Sequence, residues 1–230
     1  MVTTLNKNQK KIRLEDLPNL EARNQRQHDA INNWEVGKNL ILKGSAGTGK
    51  TYLALSLALE SVLDGNTPYH DLIIIRSIVP TRDIGFLPGD EEEKKEAYTA
   101  PYQAIFQEVF KVPTAWDNLK AKHQLHFEST SFIRGITYNH AVLVVDECQN
   151  MNYHELCSVI TRVGKHCRII FSGDYKQSDL IKQGDKAGIN KFLDIIKKMP
   201  KKHFTTVTFT SDDIVRSGLV KDFIIAKNGD

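Results

Sequence analysis

Five short apolar runs recur along the chain: NLIL at 39–42, LIII at 72–75, AVLVV at 141–145, RIIF at 168–171 and TVTF at 206–209. Runs without regular polar alternation suit strands buried on both faces, as in a parallel sheet covered by helices. Between them, TYLALSLALESVL (51–63) has helical period and length, with Gly65 just past its end. YHELCSVITRVG (153–164) and KAGINKFLDIIKKM (186–199) read as further crossover helices. This alternation predicts an α/β fold of three layers around a mostly parallel sheet. The stretch 77–124, rich in charge and holding Pro80, Pro88, Pro101 and Pro113, breaks the alternation and reads as an insertion after the second strand. No Gly/Ser-rich linker divides the rest. Residues 24–230 therefore read as a single domain behind an N-terminal extension, 1–23.

Composition narrows the classes without choosing among them. The chain has 230 residues, 40% hydrophobic and 26% charged, enough for a substantial core. Its net charge of +3 is too small to argue for nucleic acid by itself. Three cysteines, an odd number without a Cys-x-x-Cys pair, suit reduced thiols and a cytoplasmic protein. The first residues lack the apolar core of a secretion signal, and no run reaches membrane-spanning length. Phe204, Phe209 and Phe223 read as core packing, and Cys157 and Cys167 as buried helix and strand residues. The lysine-rich run at 197–203 reads as a solvated helix end rather than a phosphate track.

The chemistry begins at Gly44-Ser45-Ala46-Gly47-Thr48-Gly49-Lys50-Thr51, a G-x-x-x-x-G-K-[ST] pattern between an apolar strand and a helix. Glycines let backbone N–H groups curl around phosphates, and the helix N-terminus adds partial positive charge. Lys50 is placed for the β- and γ-phosphates of ATP, and the Thr51 hydroxyl for Mg²⁺. Tyr52 follows directly and is taken with the nucleotide-binding set. The eight histidines show no ligand spacing, so no metal beyond Mg²⁺ is expected.

A partner acid should end another buried strand. Asp146 follows AVLVV and is expected to share the magnesium with Thr51; Glu147, next in line, is placed to deprotonate an attacking water. After RIIF, Asp174 and Gln177 lie at the carboxyl end of their strand, the edge that binds ligands in open α/β sheets. Gln177 there suits a γ-phosphate sensor. Upstream, the amide of Gln25 offers both a donor and an acceptor to adenine.

With these motifs in hand, the chain resembles the PhoH family of P-loop ATPases, most closely its short phage-encoded versions. The likeness runs from about Asn24 to Lys227. It rests on GSAGTGKTYLA, RSIVPTRDIGFLPGDEEEK with PY at 101–102, SFIRGIT, VVDECQNMNYHEL, ITRVG, FSGDYKQSDL and DIVRSGLV. The resemblance implies a RecA-like core, ATP binding and hydrolysis, and helicase-like work on single-stranded RNA or DNA. Cys148 stands where cellular relatives usually carry alanine, and the chain is too short to hold the PIN nuclease domain fused to some of them.

The motor comparison gives Arg82, Phe86 and Arg134 to nucleic-acid contact, against a competing reading as core packing and internal ion pairs. Arg216 and Arg162 become candidates for the charge that develops on the transferred phosphoryl group, in cis or from a neighbouring subunit. Because one lobe cannot form a two-lobed cleft, a homo-oligomeric ring, in the family a hexamer, is expected. The alternative is a nucleotide-gated regulatory or binding module without motor activity.

Overall fold

The computed structural model describes residues 11–78, 91–110, 112–175 and 183–228, with the backbone alone for 91–97, 183–187 and 228. Six strands form one sheet: β1 (Asn39–Gly44), β2 (Asp71–Arg76), β3 (Leu125–Ser129), β4 (Ala141–Asp146), β5 (Arg168–Gly173) and β6 (Phe204–Phe209). Their order is β3-β2-β4-β5-β1-β6, and every pairing is parallel. Five of the six lie on the apolar runs. β3 was not expected; its sequence, LHFES, alternates inward and outward as a strand at the sheet edge should.

The four central strands, β2, β4, β5 and β1, bury both faces. Leu40, Leu42, Ile74, Val142, Val144 and Ile170 face one helical layer, while Ile41, Ile73, Ile75, Leu143, Val145 and Phe171 face the other. The first layer holds α1 (Gln25–Glu35), α2 (Lys50–Leu63), α3 (Glu91–Phe110) and α4 (Ala115–Ala121). The second holds α5 (Tyr153–Ile160) and α6 (Gln183–Lys198). A last helix, α7 (Gly218–Asn228), follows β6. The three-layer α/β expectation is met.

The stretch read as an insertion supplies two helices to the main core. Tyr102, Phe106 and Phe110 of α3 and Trp116 of α4 are buried, and Phe106 meets Trp116 edge-on at 5.1 Å between ring centroids. α3 continues through Pro101, which removes one backbone donor from its middle. The helix expected over 153–164 stops at Ile160, because Tyr138 pairs with Val163 in an isolated parallel bridge and takes the chain out of helical path. The Phe223 expectation is corrected: on α7 it is 66% exposed, while Phe209 is buried and Phe204 partly buried against the core. Cys157 and Cys167 are half-buried; Cys148 is the buried thiol.

Candidate functional site

Three neighbouring strands, β4, β5 and β1, bring their carboxyl ends together. β1 hands the chain to the glycine loop at Gly44, whose φ is +133°. A Cβ there would sit 1.9 Å from the Phe209 carbonyl oxygen on β6, so only glycine fits this crossing. The loop then closes on itself. Thr48 Oγ1 donates to the Ser45 carbonyl at 3.0 Å, and Lys50 Nζ donates to the carbonyls of Gly44 (2.9 Å) and Ser45 (2.7 Å).

Lys50 begins α2 in a buried setting. Burial lowers its pKa, while Asp174, Asp146 and Glu147 pull the other way, and its ammonium is ringed by these acids and by the loop carbonyls. Next along the helix, Thr51 Oγ1 donates to both oxygens of Asp146, at 3.0 and 3.3 Å. Asp146 ends β4 nearly buried, and Tyr102 of α3 donates its hydroxyl to the second oxygen at 3.1 Å. Burial and the Asp146 charge push the Tyr102 phenol well above its usual pKa.

Glu147 adopts the left-handed region, φ +53° and ψ +41°, a strained state for a non-glycine residue. Burial and then Asp146 raise its pKa; Arg76, a hydrogen bond from Gln149 Nε2 and Lys50 partly offset this. Gln149 Oε1 in turn accepts from the Asp174 backbone at 3.0 Å. Asp174 is buried beside the loop, as expected from its strand end.

A cavity of about 470 Å³ opens over these groups. Ala46, Gly47, Gly49, Lys50, Thr51 and Tyr52 form its floor, with Asp146, Glu147 and Asp174 on one side and Arg216 on another. Gly44, Ser45 and Thr48 shape the loop from behind without lining the cavity. Arg216 leans on the loop, its Cγ 3.1 Å from where a Gly47 Cβ would be, and the Val215 N–H donates to the Gly47 carbonyl at 3.1 Å.

Two sequence expectations move. Gln25 is exposed and donates to Asp29 at 2.9 Å, away from the cavity wall. The amide that reaches the loop is Gln27. Its Nε2 donates to the Thr48 carbonyl at 3.1 Å and its Oε1 accepts from the Arg23 backbone at 2.9 Å. Arg162 does not line the cavity of its own chain. Its guanidinium donates to the carbonyls of Ser158 and Ile136 at 3.2 and 3.1 Å, bracing the loop that carries Arg134. Arg134 is exposed there between Phe132 and Ile136, each 41% exposed. Gln177, Arg82 and Phe86 lie outside the described residues.

Sequence reasoning passed over Arg76 and Tyr102, which reach Asp146 from β2 and α3. The register pairs Arg76 with Asp146 across β2 and β4. Burial opposes the Arg76 charge, but Tyr102, Glu147 and Asp146 outweigh it and leave its pKa raised. Glu155 was also passed over: it accepts from Ser77 (3.2 Å), from Thr130 and from the Asn152 backbone (2.8 Å), tying the exits of β2 and β3 to the start of α5.

The chain is similar to known proteins in sequence and in fold. The family model described as "PhoH: PhoH-like protein" matches residues 19–227. Protein PhoH2 of Bacillus subtilis is 37% identical over 144 residues, covering 61% of this chain and 32% of the relative. A PhoH-like protein of Synechocystis is 33% identical over 185 residues, 80% of this chain and 54% of the relative. The chain thus spans about half, or less, of the length of these curated relatives. Among solved structures, the large terminase of a thermophilic bacteriophage superposes with a TM-score of 0.51 at 15% identity, over 89% of this chain and 50% of the terminase. The same terminase in complex with ATP-gamma-S gives a TM-score of 0.52 at 16% identity, over 87% and 48%. The likeness is one of fold alone.

Proposed function

The chain belongs to the PhoH family, and from that premise we propose that its nucleotide-binding domain hydrolyses ATP with Mg²⁺ and couples the cycle to remodelling of, or translocation along, single-stranded nucleic acid. One observation carries the reading: Lys50, the Thr51–Asp146 pair and Glu147 converge on one cavity above a glycine loop.

The donor set fits magnesium. A hydroxyl and a carboxylate stand together as hard oxygen ligands, and among the described residues no group of three or more His, Cys, Asp or Glu is arranged to hold a metal alone. That suits an ion taken up with phosphate oxygens, held by Thr51 and Asp146. When bound, it would neutralise phosphate charge as that charge develops in the reaction. The loop N–H groups and Lys50 hold the phosphates. Glu147 takes a proton from water as the water oxygen bonds to the γ-phosphorus and the bond to the ADP oxygen breaks. Arg216, against Gly47, sits beside the phosphates and offsets charge at the terminal group. Gln27, tied to the loop through Thr48, takes the adenine-side role first given to Gln25.

Arg134, with Phe132 and Ile136 exposed beside it, supports a strand-binding loop: a guanidinium for backbone phosphate and an aromatic face for a base. A ring of subunits would complete a cleft that one lobe leaves open. No described helix is long and apolar enough to cross a membrane.

The test is ATP turnover with and without single-stranded RNA or DNA, alongside sizing of the nucleotide-bound protein. Stimulation by either strand, lost in Phe132→Ala and Arg134→Ala, supports a motor. Slow turnover indifferent to strands supports a nucleotide-gated module instead. No turnover at all overturns the reading.

A further inference from the structure

Asp146 is held from two sides. Thr51 Oγ1 lies nearest Oδ1, at 3.0 Å, while the Tyr102 hydroxyl donates to Oδ2 at 3.1 Å. Tyr102 is 1% exposed, and its ring packs against Phe127 at 5.7 Å. A phenol fixed in the core can therefore set the plane in which the carboxylate presents its oxygens to Thr51.

The adjacent carboxylates Asp146 and Glu147 repel, and the neighbouring strand supplies a counter-charge. Arg76 ends β2 directly opposite Asp146, with its guanidinium against Tyr102 and 5.6 Å above the Tyr98 ring. Tyr98 and Tyr102 are one helical turn apart on α3, so both face Arg76 and grip it by ring face and hydroxyl. The helix in the stretch that looked like an insertion thus reaches the acids at the nucleotide cavity.

We propose that Arg76 and Tyr102 are positioning residues that orient Asp146 and offset the Asp146–Glu147 charge, so that the seating of α3 sets the affinity for metal-bound nucleotide. This rests on the reading of the cavity as a metal–nucleotide site. Neither side chain lines the cavity, and both act through Asp146. A purely structural tyrosine, burying a satisfied hydroxyl, would affect stability and leave metal dependence alone.

The experiment uses the full chain and a fluorescent mant-ADP probe, titrated in EDTA and again in excess Mg²⁺, with melting temperatures recorded. In the parent, Mg²⁺ should tighten binding. Tyr102→Phe keeps the ring and removes the donor. It should bind within about twofold of the parent in EDTA and lose about tenfold in Mg²⁺, the scale of a hydrogen bond to a charged group. Arg76→Gln should lose a similar factor, with partial recovery in Arg76→Lys. Arg76 is half-buried, so its variants keep the test open if Tyr102→Phe does not fold. A parental Mg²⁺ effect in both Tyr102→Phe and Arg76→Gln, with only the melting temperature lowered, overturns the proposal. A parent that gains nothing from Mg²⁺ overturns the metal-site reading itself, and the proposal with it.

Discussion

The Thr51 hydroxyl donates to the Asp146 carboxylate at 3.0 Å across 95 positions of sequence, joining the first turn of α2 to the end of β4. This contact fixes the loop and the acid in one frame, with Lys50 immediately before Thr51. Lys50→Ala removes the side-chain cation on the loop floor. Nucleotide affinity should fall at least about a hundredfold, measured by equilibrium binding. Parental affinity would detach the loop from phosphate.

Glu147→Gln keeps the size of the side chain and removes the proton acceptor. The variant should retain nucleotide while turnover drops by about 10²–10⁴. Binding and phosphate release, measured on one preparation, separate the two. Turnover at the parent rate would mean that Glu147 is not the base.

Gly44→Ala drives a methyl group into the Phe209 carbonyl and should cost at least about 3 kcal/mol, or prevent folding. Gly65→Ala meets no atom within 4 Å and should stay within about 0.5 kcal/mol. Urea melts of the pair make the comparison, and equal stability would contradict the β1–β6 crossing.

Arg168, at the start of β5, donates to the carbonyls of Trp34 (2.6 Å) and Lys38 (2.7 Å) and lies 3.2 Å above the Trp34 ring. It closes the end of α1, and burial lowers its pKa to about 10. Arg168→Leu leaves both carbonyls without that donor and should cost about 2–4 kcal/mol in chemical denaturation. Arg168→Lys should recover little, because an ammonium lacks the planar face that stacks on Trp34.

Cys148 is fully buried and donates to the Val145 carbonyl, and burial pushes its thiol well above the usual value of 9.0. In folded protein at pH 8–9 it should stay unmodified by a thiol reagent, since the thiolate does not form below its raised pKa. Cys157 and Cys167, half-buried, should react first. Peptide mapping after brief alkylation reads this directly; early labelling of Cys148 would refute it.

What was legible in the sequence followed from local pattern. The glycine loop declares itself by spacing, and five strands by short apolar-rich runs, because both act within a few residues. β3 escaped because only Leu125 and Phe127 of its five residues are apolar, and His126 and Glu128 interrupt them. The glutamine that reaches the loop lies two positions beyond the one read from sequence, for a helical reason. Asn24 caps α1 and accepts from the Gln27 backbone at 2.9 Å, which turns Gln27 inward and leaves Gln25 on the wet face. Arg76 and Tyr102 stand in motifs the sequence shows, but no local pattern ties either to Asp146; the β2–β4 register and the packing of α3 do, with Tyr102 meeting Asp146 across 44 positions. For Arg162 only the fold reveals the carbonyls it holds, which keep it out of its own chain's cavity.

The amide of Asn24 reaches the Asp213 carbonyl at 3.1 Å across 189 positions, and Val215 closes on Gly47 from the same late segment. The pocket is therefore finished by residues that leave the ribosome long after the glycine loop does. A nascent chain can assemble much of its sheet before it can hold a nucleotide, so ligand can stabilise only molecules in which that late segment has already been translated.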